Sequence, residues 1–275
     1  MILLEPFAYG FMREAFLIAA IIALPAALLS CFLVLKGWSL MGDAISHAVL
    51  PGVVLAHLLG WPLVVGAFAA GMVTALASGF LQENSRVKQD TVLGVVMSGM
   101  FAAGIVLYVA VVPSVDLFHI LFGNIFGVDA GQIRRTGLIA AVVGGAILLN
   151  WRALTLHSFD PVQARVAGLP VGWLHYGLLA AISLTVVAML SSVGIVLAVG
   201  LLIAPGAIAF LVTRRMQAML AVASSVSLTA CIAGVWLSFW IDSAPAPTII
   251  LVLTSFFVAA FLWRQIRNRR ARAAI

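Results

Sequence analysis

Apolar residues run along this chain in long blocks, separated by short polar stretches that hold most of the charge. Blocks of spanning length fall at 15–35, 39–59, 62–82, 92–112, 134–151, 173–191, 193–212, 217–240 and 247–264. Each is close to the ~20 residues that carry an α-helix across a bilayer. Lipid offers no partners to a bare backbone, so such blocks are expected to be helical. The pattern predicts an all-α integral membrane protein, a polytopic bundle of eight or nine transmembrane helices. The lower number applies if one broken segment fails to cross.

Three of the blocks contain or adjoin helix-breaking pairs: Pro51-Gly52, Pro205-Gly206 after Ala204, and Pro245-Ala246-Pro247. Proline removes a backbone donor, so broken helices are expected at these points, as a hinge, a pathway or ordinary membrane-helix proline. No internal repeat, low-complexity tract or soluble domain is legible, and residues 1–275 read as a single transmembrane domain. The first ten residues contain Glu5 and Pro6 but no basic n-region, so insertion is expected to use the first span itself.

Composition strengthens this reading. Of 275 residues, 64% are hydrophobic and 9% charged. A water-soluble domain carries roughly a quarter charged residues, so this one cannot cover itself with polar groups. The net charge of +6 does not point to nucleic acid, because the basic residues sit at the ends of apolar runs. Arg86 and Lys88, Arg152 and Arg165, Arg214 and Arg215, and the tail Arg264, Arg267, Arg269, Arg270 and Arg272 fall on one side if every block spans. That side is placed in the cytoplasm. Lys36 agrees, whereas Arg13, Arg134 and Arg135 fall opposite. Cys31 and Cys231 lie inside apolar blocks without redox or metal spacing and are expected to pack as small apolar side chains.

Candidate chemistry concentrates in the second block, at Gly42-Asp43-Ala44-Ile45-Ser46-His47. Four residues apart, Asp43 and His47 share one face of a helix. An ionisable group inside a membrane helix is costly and needs a partner. A carboxylate oxygen and an imidazole nitrogen form half a site for Mn²⁺, Fe²⁺ or Zn²⁺, which a second copy across a dimer axis would complete. The competing reading makes Asp43 a helix cap and satisfies His47 with a backbone carbonyl. Asp116 and His119, in a loop expected outside, could guide a cation inward or simply be solvated. Asp129 is similar and weaker, and His57 points away from His47 on an ideal helix.

A second stretch, His157 to Pro170, interrupts two spans on the cytoplasmic side. Asp160 before Pro161 is a helix start, and Gly168 with Pro170 a stop, leaving about two turns. A short helix standing off the membrane suits a groove on a partner, though it could also be a solvated loop. His157 and His175 flank it. The chain carries no G-x-x-x-x-G-K-[ST] loop, so ATP hydrolysis by that machinery would have to come from elsewhere.

The run from Leu35 to Gly52, including Lys36-Gly37-Trp38-Ser39-Leu40-Met41-Gly42-Asp43, resembles the signature of the ABC-3 family of metal-importer permeases almost residue for residue. Asp90-Thr91-Val92-Leu93-Gly94, Leu121-Phe122-Gly123-Asn124-Ile125, Phe159-Asp160-Pro161 with Ala164-Arg165 and Gly168-Leu169, and Gly200 to Pro205 match in order. Near the C-terminus Ser243-Ala244-Pro245 departs from the family pattern, which weakens any role for Asp242.

The resemblance implies a non-enzymatic permease in the bacterial cytoplasmic (inner) membrane. Its partners would be ABC ATPase subunits, a second permease, identical or paralogous, and a metal-binding solute-binding protein. It further implies a transported divalent metal rather than a permanent cofactor, closer to the manganese and chelated-iron branch than to zinc. Asp43 and His47 would line the pathway near the external gate. Phe159, Asp160, Pro161, Ala164, Arg165 and Gly168 would couple to the ATPase. Two alternatives stay open: an ABC permease for a siderophore or cobalamin chelate, and an ion-gradient transporter with Asp43 as proton carrier.

Overall fold

The computed structural model describes residues 2–111 and 125–273. Its helices are α1 (Gly10–Lys36), α2 (Met41–Ala48), α3 (Leu50–Leu58), α4 (Leu63–Asn84), α5 (Gln89–Val111), α6 (Ala130–Phe159), α7 (Pro161–Val166), α8 (Val171–Val193), α9 (Ile195–Val212), α10 (Met216–Trp240) and α11 (Pro245–Ala273). Two short 3₁₀ turns, Ile2–Ala8 and Ile125–Gly127, complete the described elements. With α2 and α3 taken together, nine helical stretches among the described residues are long and apolar enough to cross a membrane. Nine candidates is the higher of the two expected span numbers.

α1 occupies the middle of the bundle, packed by α6, α9 and α10. Between Ala15 and Leu29 it is apolar on every face, which a helix surrounded by neighbours requires. It is tied laterally by Ser227 Oγ, which donates to the Ala23 carbonyl at 3.0 Å. α5, α6 and α11 lie at the periphery and leave most of their apolar surface uncovered. In water that surface would be a liability, and against acyl chains it is the solvated state. Cys31 and Cys231 are both buried and free, as their apolar context predicts.

Side-chain contacts identify the two ends. At one, Tyr9 meets Phe239, Phe11 meets Phe126, and the Gln132 amide donates to the Ser191 carbonyl. At the other, the C-terminal ends of α1, α4 and α6 and the starts of α5 and α8 surround one cavity. The second end carries Arg86, Lys88, Arg165 and the basic end of α11 by alternation, and is the cytoplasmic face.

The proline-containing segments divide in three ways. At Pro51 the second span does break, at Val49 between α2 and α3, and the His47 carbonyl loses its i+4 donor because Pro51 has no N–H. At Pro205 the helix runs through without interruption. Gly206 there lies so close to α1 that a Cβ would strike the Ser30 carbonyl, so the pair sets a helix crossing rather than a break. At Pro245 and Pro247 the expected break is instead the beginning of α11, where the first turn has no use for the missing donors.

A candidate metal half-site and a short cytoplasmic helix

α1 ends in a Schellman turn: Gly37, at φ 70°, donates to the Val34 carbonyl, and Trp38 donates to that of Leu33. The turn sends the chain back toward the bundle, and Met41 and Gly42, the first residues of α2, are buried. Gly42 abuts Leu202, midway along α9. Ile45 reaches Gly71 beside Ser183, midway along α8, and the His47 ring meets Phe101, midway along α5, edge-on at 5.5 Å. The Asp43–His47 segment is thus set at mid-depth, with α3 leading from it to the outer end.

Asp43 Oδ1 and His47 Nε2 stand 3.5 Å apart, one helical turn separating the two residues. Their flanks are closed: Gly42, Ala44, Ile45, Ser46 and Ala48 are all buried. The two polar side chains alone keep about a third of their surface open, 32% for Asp43 and 34% for His47. Ser46 does not join them, because its hydroxyl donates back to the Gly42 carbonyl at 2.7 Å. Asp43 is not a helix cap, since α2 starts two residues earlier with Leu40 at its N-cap and no side-chain cap bond. No group of three or more His, Cys, Asp or Glu gathers anywhere among the described residues. One chain therefore presents two donors, an oxygen and a nitrogen, on an open face.

The other sequence candidates separate from this pair. His57 is exposed in the last turn of α3, on the far side of the break at Val49 from His47. Asp129 caps α6, its Oδ1 accepting from the Gln132 N–H at 2.6 Å. Asp242 takes a left-handed conformation, φ 50°, in the exposed turn before α11. Asp116 and His119 lie outside the described residues. Phe101, which walls the His47 ring, carried no signal in the sequence.

At the cytoplasmic end Asp160 Oδ1 accepts from the backbone N–H groups of Val162 and Gln163, both at 2.9 Å, with Pro161 at the first helical position. Ala164 is fully buried and pins α7 to the bundle. Gly168, at φ 76°, closes the helix, its N–H on the Arg165 carbonyl and that of Leu169 on Ala164. Around this compact unit Phe159, Val162, Val166 and Trp173 are 67%, 73%, 84% and 83% exposed. Large apolar side chains projecting from a capped polar turn form the kind of patch that a protein partner covers.

Residues 8–264 match the family model described as the ABC 3 transport family. The chain belongs to the ABC 3 transport family. It is 51% identical over 268 residues to the chelated iron transport system membrane protein YfeD of Yersinia pestis, covering 98% of this chain and 90% of that one. The manganese transport system membrane protein MntB of Synechocystis is 42% identical over 260 residues, 94% of this chain and 85% of that one. Among solved structures, PsaBC from Streptococcus pneumoniae in complex with Fab superposes with a TM-score of 0.84 at 36% identity, covering 95% of each chain. This ABC 3 chain is accordingly a multi-span transport permease of the bacterial cytoplasmic membrane, and the manganese and iron side of the family is where its relatives lie.

Proposed function

We propose that the chain is the permease subunit of an ABC importer that moves Mn²⁺ or Fe²⁺, with Zn²⁺ a weaker fit, into the cytoplasm. The observation that carries this reading is the Asp43–His47 pair, open at mid-depth between buried neighbours and holding only two donors. Two is too few for a resident metal and suits a substrate that must leave again. A second permease, identical or paralogous, facing the first brings the donor set to four, oxygen and nitrogen without thiolate, which suits hard-to-borderline divalent ions. The His47 carbonyl, released by Pro51, is a further oxygen at the same level.

A solute-binding protein delivers the ion at the outer end, and Asp43 and His47 accept it transiently. ATP hydrolysis takes place in separate ATPase subunits seated on α7. Phe159 and Val162 enter the partner's groove, Arg165 makes the polar contact, and Asp160, Pro161, Ala164 and Gly168 hold the helix in shape. Asp116 and His119 would guide cations toward the outer opening. The relatives named for chelated iron and for manganese support a metal substrate, and the exposed apolar residues around α7 support a docked ATPase over a gradient-driven carrier.

The test is radiolabelled manganese uptake in cells carrying the complete transporter, with Asp43→Ala and His47→Ala compared at equal membrane abundance. Uptake should fall to background in both, and unlabelled iron and zinc rank the ions by competition. Full uptake in either variant sinks the ligand role and brings forward a chelate substrate.

A further inference from the structure

The corner between α1 and α2 is joined to the helices flanking α7 by a closed circuit of four side chains. Lys36, the last residue of α1, donates from Nζ to Nε2 of His157 at 3.2 Å. The same ammonium lies 4.6 Å from the centre of the Trp38 ring, a cation–π contact. Trp38 meets the His175 ring edge-on at 5.5 Å, and His175 meets His157 edge-on at 6.1 Å, which closes the circuit. Trp38 and His157 are buried. The two histidines stand on either side of α7 in the chain. His157 is in the last turn of α6, which ends at Asp160, and His175 is near the start of α8. A displacement of α7 therefore reaches both of them through short backbone connections.

Trp38 carries the circuit on to the half-site. Its N–H donates to the Leu33 carbonyl at 2.8 Å, and its own carbonyl accepts from the N–H of Met41, the first residue of α2, at 2.9 Å. α2 is eight residues long, bounded by this corner and by the break at Val49, where Pro51 leaves the His47 carbonyl without its donor. A short segment hinged at each end turns as a unit, and Asp43 and His47 turn with it. All four side chains border the cytoplasmic cavity of about 590 Å³, which gives them room to shift that a close-packed core would deny. We propose that Trp38 is a positioning residue for transport, passing the ATP-driven displacement of α7 to the Asp43–His47 pair by way of His157, His175 and Lys36. This rests on the reading that α7 seats the ATPase and that the pair takes the metal. With the indole removed, α7 still docks and the pair still binds, but movement of one no longer turns the other.

The complete transporter would be reconstituted in proteoliposomes, with manganese uptake and ATP hydrolysis measured with and without the metal-loaded solute-binding protein. Trp38→Leu should leave ATPase co-purification and basal hydrolysis unchanged while manganese carried per ATP falls about tenfold, the size of one coupling interaction. Trp38→Phe, which keeps a ring for Lys36 and His175, should recover most of that loss. His175→Leu cuts the circuit on another helix and should lower the same ratio. The double variant Trp38→Leu/His175→Leu should then be no worse than the poorer single, because both open one circuit. A ratio within about twofold of wild type in folded Trp38→Leu, or single losses that multiply in the double variant, overturns the proposal. Loss of the ATPase from the Trp38→Leu complex also overturns it, marking Trp38 as packing for the docking face. Melting curves in detergent establish folding. Should Trp38→Leu not fold, Lys36→Met combined with His175→Leu opens the circuit on both sides of Trp38, and a wild-type ratio there overturns the proposal instead. Full uptake in Asp43→Ala, or a wild-type permease that retains no ATPase, sinks the functional reading itself and is told apart by that.

Discussion

Asp43 and Asp160 are both aspartates near the start of a helix, and their neighbours give them different tasks. Asp160 precedes Pro161 and turns its carboxylate onto two backbone N–H groups, which leaves no lone pair pointing outward for a ligand on that oxygen. Asp43 lies inside α2, bonds no backbone donor among the described contacts, and faces the imidazole one turn on. Removing the Asp160 cap should cost about 1 kcal/mol of local helix stability. Asp160→Ala is therefore expected to reduce co-purification of the ATPase several-fold, whereas Asp160→Asn, still a good cap, should retain it. Equal retention by both variants would show that α7 does not need its cap to dock.

Among the elements, the crossing of α3 and α4 is the tightest described contact near the pathway. A Cβ on Gly52 would overlap the Gly66 carbonyl, and one on Gly66 would overlap the Gly52 carbonyl. The pair brings two backbones together directly after the Pro51 break, and small residues at such crossings are how membrane helices approach. Gly52→Val or Gly66→Val should lower the melting temperature in detergent and the abundance in membranes, since overpacking of this kind costs about 1–3 kcal/mol or more. Gly99, on α5 with open space where its Cβ would be, is the control: Gly99→Ala should be neutral or slightly stabilising. The failure of two of the three proline expectations also belongs at this scale. At Pro205 the helix continues past the missing donor, and at Pro245 the first turn had no intrahelical bond to lose.

For the whole molecule, the half-site makes an assembly prediction. With two donors per chain, a dispersed single permease should bind Mn²⁺ poorly, and the permease pair should bind it at one ion per two chains. Analytical ultracentrifugation coupled to metal analysis reads both quantities. Tight binding by the monomer would mean that ligands outside Asp43 and His47 complete the site. At the same scale, the exposed patch of Phe159, Val162 and Val166 is left uncovered by this chain, as the proposed docking of an ATPase requires.

The sequence by itself determined the membrane class, the positions of the long apolar helices, the asymmetry of basic charge and the short capped helix. Each depends on local quantities: twenty apolar residues, the side on which arginines fall, a proline after an aspartate. It also placed Asp43 and His47 on one face, because a four-residue spacing fixes that in any helix. Only the tertiary structure decided their depth, through the Schellman turn at Gly37 that returns the chain into the bundle before α2 begins. Only it brought Lys36, Gln89, His157 and Arg165 to one cavity, since they come from distant segments and nothing in their spacing records the meeting. Helical periodicity says which residues share a face, and long-range packing decides which faces meet.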